Sequence, residues 1–255
     1  MGFGAIIIGD EIVRGKREDK HFSKLIGILA ARGLTLDWCE YLGDKPPLIE
    51  ATLRRTMATA DVVFSFGGIG ATPDDHTRQC AARAAGVDLA LHSEAEAEIR
   101  GRFGAETTPQ RLKLGEFPRG ARIIPNPYNR IPGFSMADHH FVPGFPVMAW
   151  PMVEWVLDRY YRHLFHARRE AEASIIVYEL PESTITPLMQ EVEMRYRGVK
   201  SFSLPSMGEE GVRRHIELGV RGLPEEVSRA IDDMKRGVIA LGGAWRRVDE
   251  ERPPR

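Results

Sequence analysis

The chain has 255 residues, 43% of them hydrophobic and 28% charged, with 35 basic residues against 36 acidic ones and a formal net charge of −1. That composition supports a buried core, excludes wholesale disorder, and offers no overall basic face of the kind that draws nucleic acid. Two cysteines, Cys39 and Cys80, are too few for a disulfide-stapled secreted scaffold and read as reduced, buried thiols; the start MGFGAIIIGDE lacks a basic flank, and no apolar run approaches the roughly 18–20 residues of a membrane span, so a cytoplasmic protein with no membrane or nucleic-acid partner is expected.

Residues 3–8 form a short β-branched run ending at Gly9, the pattern of a strand buried on both faces. Over 19–32 the apolar positions Phe22, Leu25, Ile26 and Leu29 keep helical spacing and Gly33 closes the segment. Residues 34–42 read as a second strand. Pro46 and Pro47 open a helix to about residue 58 with Leu48, Ile49 and Leu53 inward. A third strand, 61–66, runs into the sequence GGIG, and a helix is expected over 73–85. Residues 93–103 look helical, 121–125 look like a strand, and five prolines punctuate 125–146. An amphipathic helix is expected over 147–165. Strands alternating with helices argue for βαβ units, hence a parallel sheet with helices on both faces.

The composition then shifts at HARREAE, residues 166–172, where a domain boundary is expected. Beyond it come a strand (173–180), a helix (185–197), two strands (199–204 and 213–220) and a helix (224–236), a βαββα order sufficient for a small α+β domain over 173–243. The remainder, 244–255, lacks periodicity and is expected to fray.

Two loops leave the carboxyl ends of predicted strands, where open parallel sheets bind ligands. The first, GDEIVRG at 9–15, sets Asp10, Glu11 and Arg14 between Gly9 and Gly15. On its own it reads first as a solvated turn. The second, GGIGATPDDHT at 67–77, places Gly67, Gly68 and Gly70 within four residues, a spacing that turns backbone N–H groups toward an anion. Thr72 then reads as a helix N-cap, Pro73 as the first helical residue and Asp75 as the third, so a helix amino terminus would face the same space. The Thr72–Asp75 spacing also fits a capping box, which explains Asp75 without any ligand. Carboxylates from Asp10, Glu11, Asp74 and Asp75 beside a phosphate cradle call for a hard cation between them and the phosphate oxygens. The loop is neither a Walker A motif nor a dinucleotide-binding fingerprint.

Together GDEIVRG and GGIGATPDDHT resemble the paired motifs of the MoaB/Mog molybdopterin-binding family, most closely the amino-terminal domain of CinA proteins. Asn126-Pro127 with Pro132-Gly133, and Pro143-Gly144-Phe145-Pro146, resemble two further loops of that type, so the resemblance covers about residues 3–165. It implies a three-layer α/β fold over 1–165 that binds molybdopterin or an ADP-containing nucleotide with Mg²⁺. It implies that Asp75 helps place the cation and the pterin nucleotide, that Asp44, after the second strand, contributes, and that CinA-type members hydrolyse the pyrophosphate of ADP-ribose. On this reading Asp10, Asp44 and Asp75 are the candidate catalytic residues, with Asp75 and Asp10 on the metal. Gly9, Glu11, Gly67, Gly68, Gly70, Thr72, Asp74, Asn126, Pro132, Gly133, Pro143 and Gly144 are the candidate ligand-binding residues. A homo-oligomer is expected. The sequence departs from the CinA pattern at His21, where Asn is frequent, and at Tyr128-Asn129-Arg130-Ile131, where small residues are common. No deamidase domain of the kind that follows in full-length CinA proteins is expected in a chain ending at Arg255.

His139 and His140 would point to opposite faces of a strand and are not expected to share a metal. His76 could reach the cation but reads as solvent-exposed, and Trp150, Trp155, Tyr160 and Tyr161 read as packing rather than a stacking platform. The expected activity is metal-dependent hydrolysis of an ADP-ribose-like pyrophosphate. Binding of the same ligand without turnover, and adenylyl transfer to molybdopterin, remain open alternatives.

Overall fold

The computed structural model describes residues 1–167, 171–208 and 213–248. The chain divides into two compact units, Met1–Ala167 and Arg168–Arg255. Among the described residues no helix is long and apolar enough to cross a membrane.

The first unit runs β1 (Phe3–Ile8), α1 (Asp10–Val13), α2 (His21–Ala30), β2 (Trp38–Leu42), α3 (Pro46–Met57), β3 (Val62–Phe66), α4 (Thr77–Ala85), β4 (Leu89–Leu91), α5 (Ser93–Phe103), α6 (Pro109–Leu112), β5 (Glu116–Pro118), β6 (Arg122–Ile124), β7 (Gly133–Met136), β8 (His139–Val142) and α7 (Pro146–Val156). Its main sheet has the order β2-β1-β3-β8-β7-β6. The first four strands are parallel, and β7 and β6 join antiparallel, so the sheet is mixed.

Strand β1 shows why its sequence is apolar throughout. Phe3, Ala5 and Ile7 face a core shared with Leu25 and Leu29 of α2 and Val153 of α7. Ile6 and Ile8 face a second core with Ile49 and Leu53 of α3 and Cys80 and Ala81 of α4. A strand covered on both sides has no polar face to show. The result is three layers with helices on both faces of the sheet.

Several details differ from the sequence expectation. Helix α2 buries His21, Leu25, Ile28 and Leu29, leaving Phe22 and Ile26 exposed. In α3 the inward stripe is Ile49, Thr52, Leu53 and Thr56, and Leu48 is exposed. The segment expected as one helix over 147–165 is α7, then a π-helical turn (Leu157–Tyr161), then a 3₁₀ turn (Arg162–Leu164). Cys80 is buried and Cys39 half-buried, both as free thiols, and burial pushes the Cys39 thiol up to about 12.

The second unit runs β9 (Ala171–Tyr178), α8 (Glu182–Arg195), β10 (Val199–Ser206), β11 (His215–Gly222), α9 (Pro224–Ala240) and β12 (Ala244–Arg247). Its antiparallel sheet has the order β10-β11-β9-β12. Ile175, Val177, Ile185, Val192, Leu218 and Met234 are in its core. Residues 244–247, expected to fray, instead pair with β9 through Ala244↔Tyr178 and Trp245↔Val177, and Trp245 packs against the core. Of the expected boundary at 166–172, residues 168–170 lie outside the described residues, as do 249–255 of the expected tail.

Candidate functional site

The strand order sets the order of the loops. Because β2, β1, β3 and β8 are parallel neighbours, the segments after them leave one sheet edge side by side. The turn between the antiparallel strands β6 and β7 returns to that same edge. Across the edge therefore come Asp44, then 9–17, then 67–75, then 143–148, then 126–131. They line one cleft of about 470 Å³.

The loop after β3 is shaped from beneath. Gly67 and Gly68 have φ of +97° and +68°, where side-chained residues are strained. A Cβ on Gly67 would lie 2.3 Å from the Ile8 carbonyl oxygen, and one on Gly68 would lie 2.2 Å from Thr77 Oγ1. Three loop carbonyls are held by the first turn of α4. The Thr77 hydroxyl donates to Gly67 O at 3.1 Å, the Thr77 amide to Gly68 O at 3.0 Å, and Arg78 Nη2 to Gly70 O at 2.6 Å. In a trans peptide the following N–H points opposite to the carbonyl. The amides of Gly68, Ile69 and Ala71 are thereby turned away from α4, and among the described residues none donates to a protein acceptor. Neighbouring free amides of this kind bind anions.

Helix α4 begins at Thr77, so Thr72 is not its N-cap and Asp75 is not in its first turn. The Thr72–Asp75 pair closes a turn of its own instead. Asp75 N–H donates to Thr72 O at 3.1 Å, Thr72 N–H donates to Asp75 Oδ2 at 2.9 Å, and the Thr72 hydroxyl donates to the same oxygen. Only the Asp75 half of the capping box exists, its carboxylate accepting the Thr72 N–H, and it lies ahead of the helix it was expected to start.

The loop after β1 is organised the other way. Residues 10–13 form α1, a single helical turn. Gly9 N–H donates to Leu42 O at 2.9 Å, and Ile12 and Val13 N–H both donate to Gly9 O at 3.2 Å. Asp10 and Asp44 bond reciprocally: Asp10 N–H donates to Asp44 Oδ2 at 2.8 Å and Asp44 N–H to Asp10 Oδ1 at 3.2 Å. The other Asp10 oxygen meets Arg14 Nη2 at 2.6 Å. Asp10 does not line the cleft, whereas Glu11, Asp44, Asp74 and Asp75 do. Burial raises the Asp44 carboxyl above its ordinary range, opposed by the Asp10 N–H and reinforced by the charges of Asp10, Glu11 and Asp74.

Among the described residues no three His, Cys, Asp or Glu side chains form a group that could hold a metal ion alone. The donor set still fits Mg²⁺ bound through a ligand, because that ion takes one or two carboxylates and completes its shell with phosphate oxygens and water. Glu11, Asp44, Asp74 and Asp75 are the cleft carboxylates available for this, and Asp44 and Asp75 each keep an oxygen that no protein donor occupies.

On the far side of the cradle, Asn126 is buried and ties its own turn together: Nδ2 donates to Ile131 O at 3.0 Å and Oδ1 accepts Tyr128 N–H at 3.0 Å. Asn126, Pro132, Pro143 and Gly144 line the cleft. Gly133 does not; it starts β7, where a Cβ would meet Phe141 O at 2.3 Å. His21 is buried, stacks on Phe66 with ring centroids 4.5 Å apart, and sets Nε2 3.1 Å from Gly144 O. A carbonyl only accepts, so Nε2 carries the proton, and burial lowers the ring's pKa. His21 thus braces the 143–146 loop.

His139 and His140 are structural. His139 Nε2 is 2.8 Å from Thr56 Oγ1; His140 bonds Ser135 Oγ at 2.8 Å and the Tyr161 hydroxyl at 2.7 Å. Burial drives their pKa values down to about 4 and about 3. Tyr161 is buried in the core that Trp150, Trp155 and Tyr160 pack against. His76 is half-buried and does not line the cleft. Sequence reasoning missed Arg78, Arg17, Phe145, Ile131 and Met148. Arg78 is 3% exposed, and besides Gly70 it donates to the Lys113 and Glu116 carbonyls; the other four line the cleft.

Residues 4–163 match the family described as a probable molybdopterin binding domain. A CinA-like protein of Syntrophotalea carbinolica is 31% identical over 211 residues, 77% of this chain and 51% of that protein. Another, from Anaeromyxobacter sp., is 30% identical over 237 residues, 84% of this chain and 57% of that protein. The chain thus spans little more than half the length of these curated relatives. The crystal structure of a CinA protein of unknown function from Thermoplasma acidophilum superposes with a TM-score of 0.57 at 27% identity, over 62% of this chain and 98% of that one. With the matched family spanning the whole cleft-bearing unit, the chain belongs to the molybdopterin-binding domain family of MoaB/Mog type and is CinA-like.

Proposed function

We propose that the cleft binds a diphosphate ester, ADP-ribose-like or pterin-bearing, together with a divalent cation such as Mg²⁺, and hydrolyses its pyrophosphate bond. The observation that carries this is the set of outward amides at Gly68, Ile69 and Ala71, flanked by Glu11, Asp44, Asp74 and Asp75 in one cleft. An anion cradle ringed by carboxylates makes physical sense when a cation joins the two. When bound, that cation polarises the phosphoryl oxygens.

The chain's own residues supply the rest. The amides hold one phosphate. Asp75, fixed by Thr72, holds the cation side. Asp44 orients the attacking water and accepts its proton, a task suited to a carboxyl whose pKa is raised. Asp10 is a positioning residue, its carboxylate and amide clasping Asp44. The water oxygen bonds to one phosphorus, the bond from that phosphorus to the bridging oxygen breaks, and the second phosphate leaves with the bridging oxygen, giving two phosphomonoesters. The test is product analysis of ADP-ribose with Mg²⁺, Mn²⁺ or Co²⁺. Release of AMP and ribose 5-phosphate, lost in Asp44→Asn, is expected. Tight binding without cleavage would reduce the protein to a carrier, and ATP consumption dependent on a pterin would make it an adenylyltransferase.

A further inference from the structure

The 126–131 turn holds a strained residue. Arg130 has a φ of +63°, a left-handed backbone that is unfavourable for any residue with a side chain. Among the described residues it is the one side-chained residue with such a φ in a loop that lines the cleft. Strain of this kind persists only where the surroundings enforce it. Inside the turn, Arg130 N–H donates to Asn126 O at 3.0 Å and Ile131 N–H to Asn129 Oδ1 at 2.9 Å. Outside it, the Arg130 side chain reaches α5, where Nε donates to Glu98 Oε2 at 2.8 Å. Glu98 and Gly101 are three residues apart, on one face of that helix. A Cβ on Gly101 would lie 2.8 Å from Arg130 Nη2 and 3.0 Å from Nη1. A glycine within a helix is unfavourable against alanine; this one leaves the room that the guanidinium occupies.

We propose that Arg130 is a positioning residue of the cleft: clasped to Glu98 over Gly101, it holds the 126–131 turn in a backbone conformation that the turn leaves when the clasp is lost. Asn126, Asn129 and Ile131 stand on the cleft wall from that turn. Arg130 itself does not line the cleft, so it acts on a ligand only through them. The clasp is an exposed ion pair, with side chains 53% and 39% exposed, and such pairs are weak. A weak clasp set against left-handed strain leaves the turn near balance, which makes a surface contact on α5 a control on the shape of the cleft. The inference rests on the diphosphate reading above only for the ligand that reports it.

Amide hydrogen exchange of the full chain without ligand, and calorimetric titration of ADP-ribose in Mg²⁺, test this together. The amides to follow are those of Tyr128 and Ile131, which are bonded to the Asn126 and Asn129 side chains. Arg130→Ala keeps the strain and loses the clasp. Both amides should then exchange faster and ADP-ribose affinity should fall, each about two- to fivefold, the ratio that the free energy of an exposed ion pair amounts to. Arg130→Gly loses the clasp and the strain together, because glycine adopts a positive φ freely, and should return both readouts to wild-type values. A contact that only added stability would be lost equally in the two variants. Glu98→Ala should match Arg130→Ala, and should change nothing when added to Arg130→Gly. Equal losses in the Ala and Gly variants, or no loss in Arg130→Ala, overturn the inference and leave the diphosphate reading standing. Faster exchange with unchanged ADP-ribose affinity also overturns it, since the turn is then no part of the binding wall. A wild type that binds no ADP-ribose sinks the diphosphate reading, and the exchange pattern of the two variants still decides whether the clasp holds the turn.

Discussion

The loops after β1 and β3 leave adjacent parallel strands, both begin at a glycine, and both carry paired acidic residues, yet their backbones do opposite things. In 9–14 the amides of Gly9, Asp10, Ile12, Val13 and Arg14 are all consumed inside the protein. In 67–71 it is the carbonyls that are consumed, by Thr77 and Arg78, and the amides of Gly68, Ile69 and Ala71 that are left free. The first loop therefore offers a ligand mainly side chains, with the Glu11 N–H its one unspent amide among 9–14, and the second offers several backbone dipoles. What separates them is which half of the peptide group the neighbouring helix satisfies. A glycine-rich motif becomes an anion site when something behind it takes the oxygens.

The widest gap between the loops should show at their arginines. Arg78→Met leaves the Gly70, Lys113 and Glu116 carbonyls without their donor at a buried site. A loss of about 3–5 kcal/mol in urea unfolding is expected, the scale for breaking a buried charged group away from its partners. Arg14→Met removes an ion pair whose side chains are 63% and 39% exposed, and should cost no more than about 0.5 kcal/mol. Similar losses for the two variants would erase the distinction.

Glycine substitutions sharpen it further. Gly15 and Gly68 share nearly the same backbone angle, φ +69° and +68°, but a Cβ on Gly15 meets nothing within 4 Å and one on Gly68 runs into Thr77 Oγ1. Gly15→Ala should cost about 1–2 kcal/mol, the price of the left-handed conformation alone, and leave pyrophosphate binding unchanged. Gly68→Ala should cost about 2–3 kcal/mol and weaken pyrophosphate at least roughly tenfold by displacing the free amides. Unchanged pyrophosphate affinity in Gly68→Ala would mean the amides are not the cradle.

How far the sequence discloses this site follows from the same contrast. Strands β1 and β3 are legible because burial on both faces writes an apolar run, interrupted only by Ser65 in β3. The glycine spacing of the loop after β3 is legible for the same reason that it works, since no other residue fits. Arg78 is not legible: within TRQCAARAA a lone arginine reads as a solvated helix residue, and only the fold brings the Lys113 and Glu116 carbonyls over it. The start of α4 misleads because Asp75 accepts the Thr72 N–H in a local turn that begins five residues before Thr77 returns its amide to Gly68. Asp10 reads like a ligand carboxylate, but its partners, Asp44 and Arg14, turn it out of the cleft.

A smaller effect separates the side-chain roles. Asp75→Asn keeps an oxygen for the Thr72 N–H, so stability should change by no more than about 0.5–2 kcal/mol, the span measured for capping residues. Affinity for ADP-ribose in Mg²⁺ should nonetheless fall about tenfold, since a full charge leaves the cation's side, and calorimetry without Mg²⁺ should show little difference between the two proteins. Equal affinities under all conditions would leave Asp75 as a turn residue only.

The smallest effect concerns Asp44, and its sign is the informative part. Burial and the charges of Asp10, Glu11 and Asp74 raise its folded-state pKa above the unfolded value. A carboxyl raised on folding binds its proton more tightly in the folded state. Between the unfolded and folded pKa values the folded protein therefore holds more protons than the unfolded chain, and stability falls as pH rises through that window. Above it the ionised Asp44 is a standing penalty; below the unfolded value the penalty is absent. Asp44→Asn removes the charge and keeps an acceptor for the Asp10 N–H, so at neutral pH the variant should be slightly more stable than the wild type. Because Asp44 is partly exposed, solvent screening limits the gain to a few tenths of a kcal/mol at about the scale of surface charge pairs. The gain should vanish in acid, where both proteins carry a neutral group. The same substitution should abolish pyrophosphate cleavage, and a residue whose removal helps the fold while ending the reaction is held there by function. A variant less stable than the wild type at neutral pH, with the deficit persisting in acid, would make Asp44 a structural partner of Asp10 and shift the proton-accepting role to another cleft carboxylate.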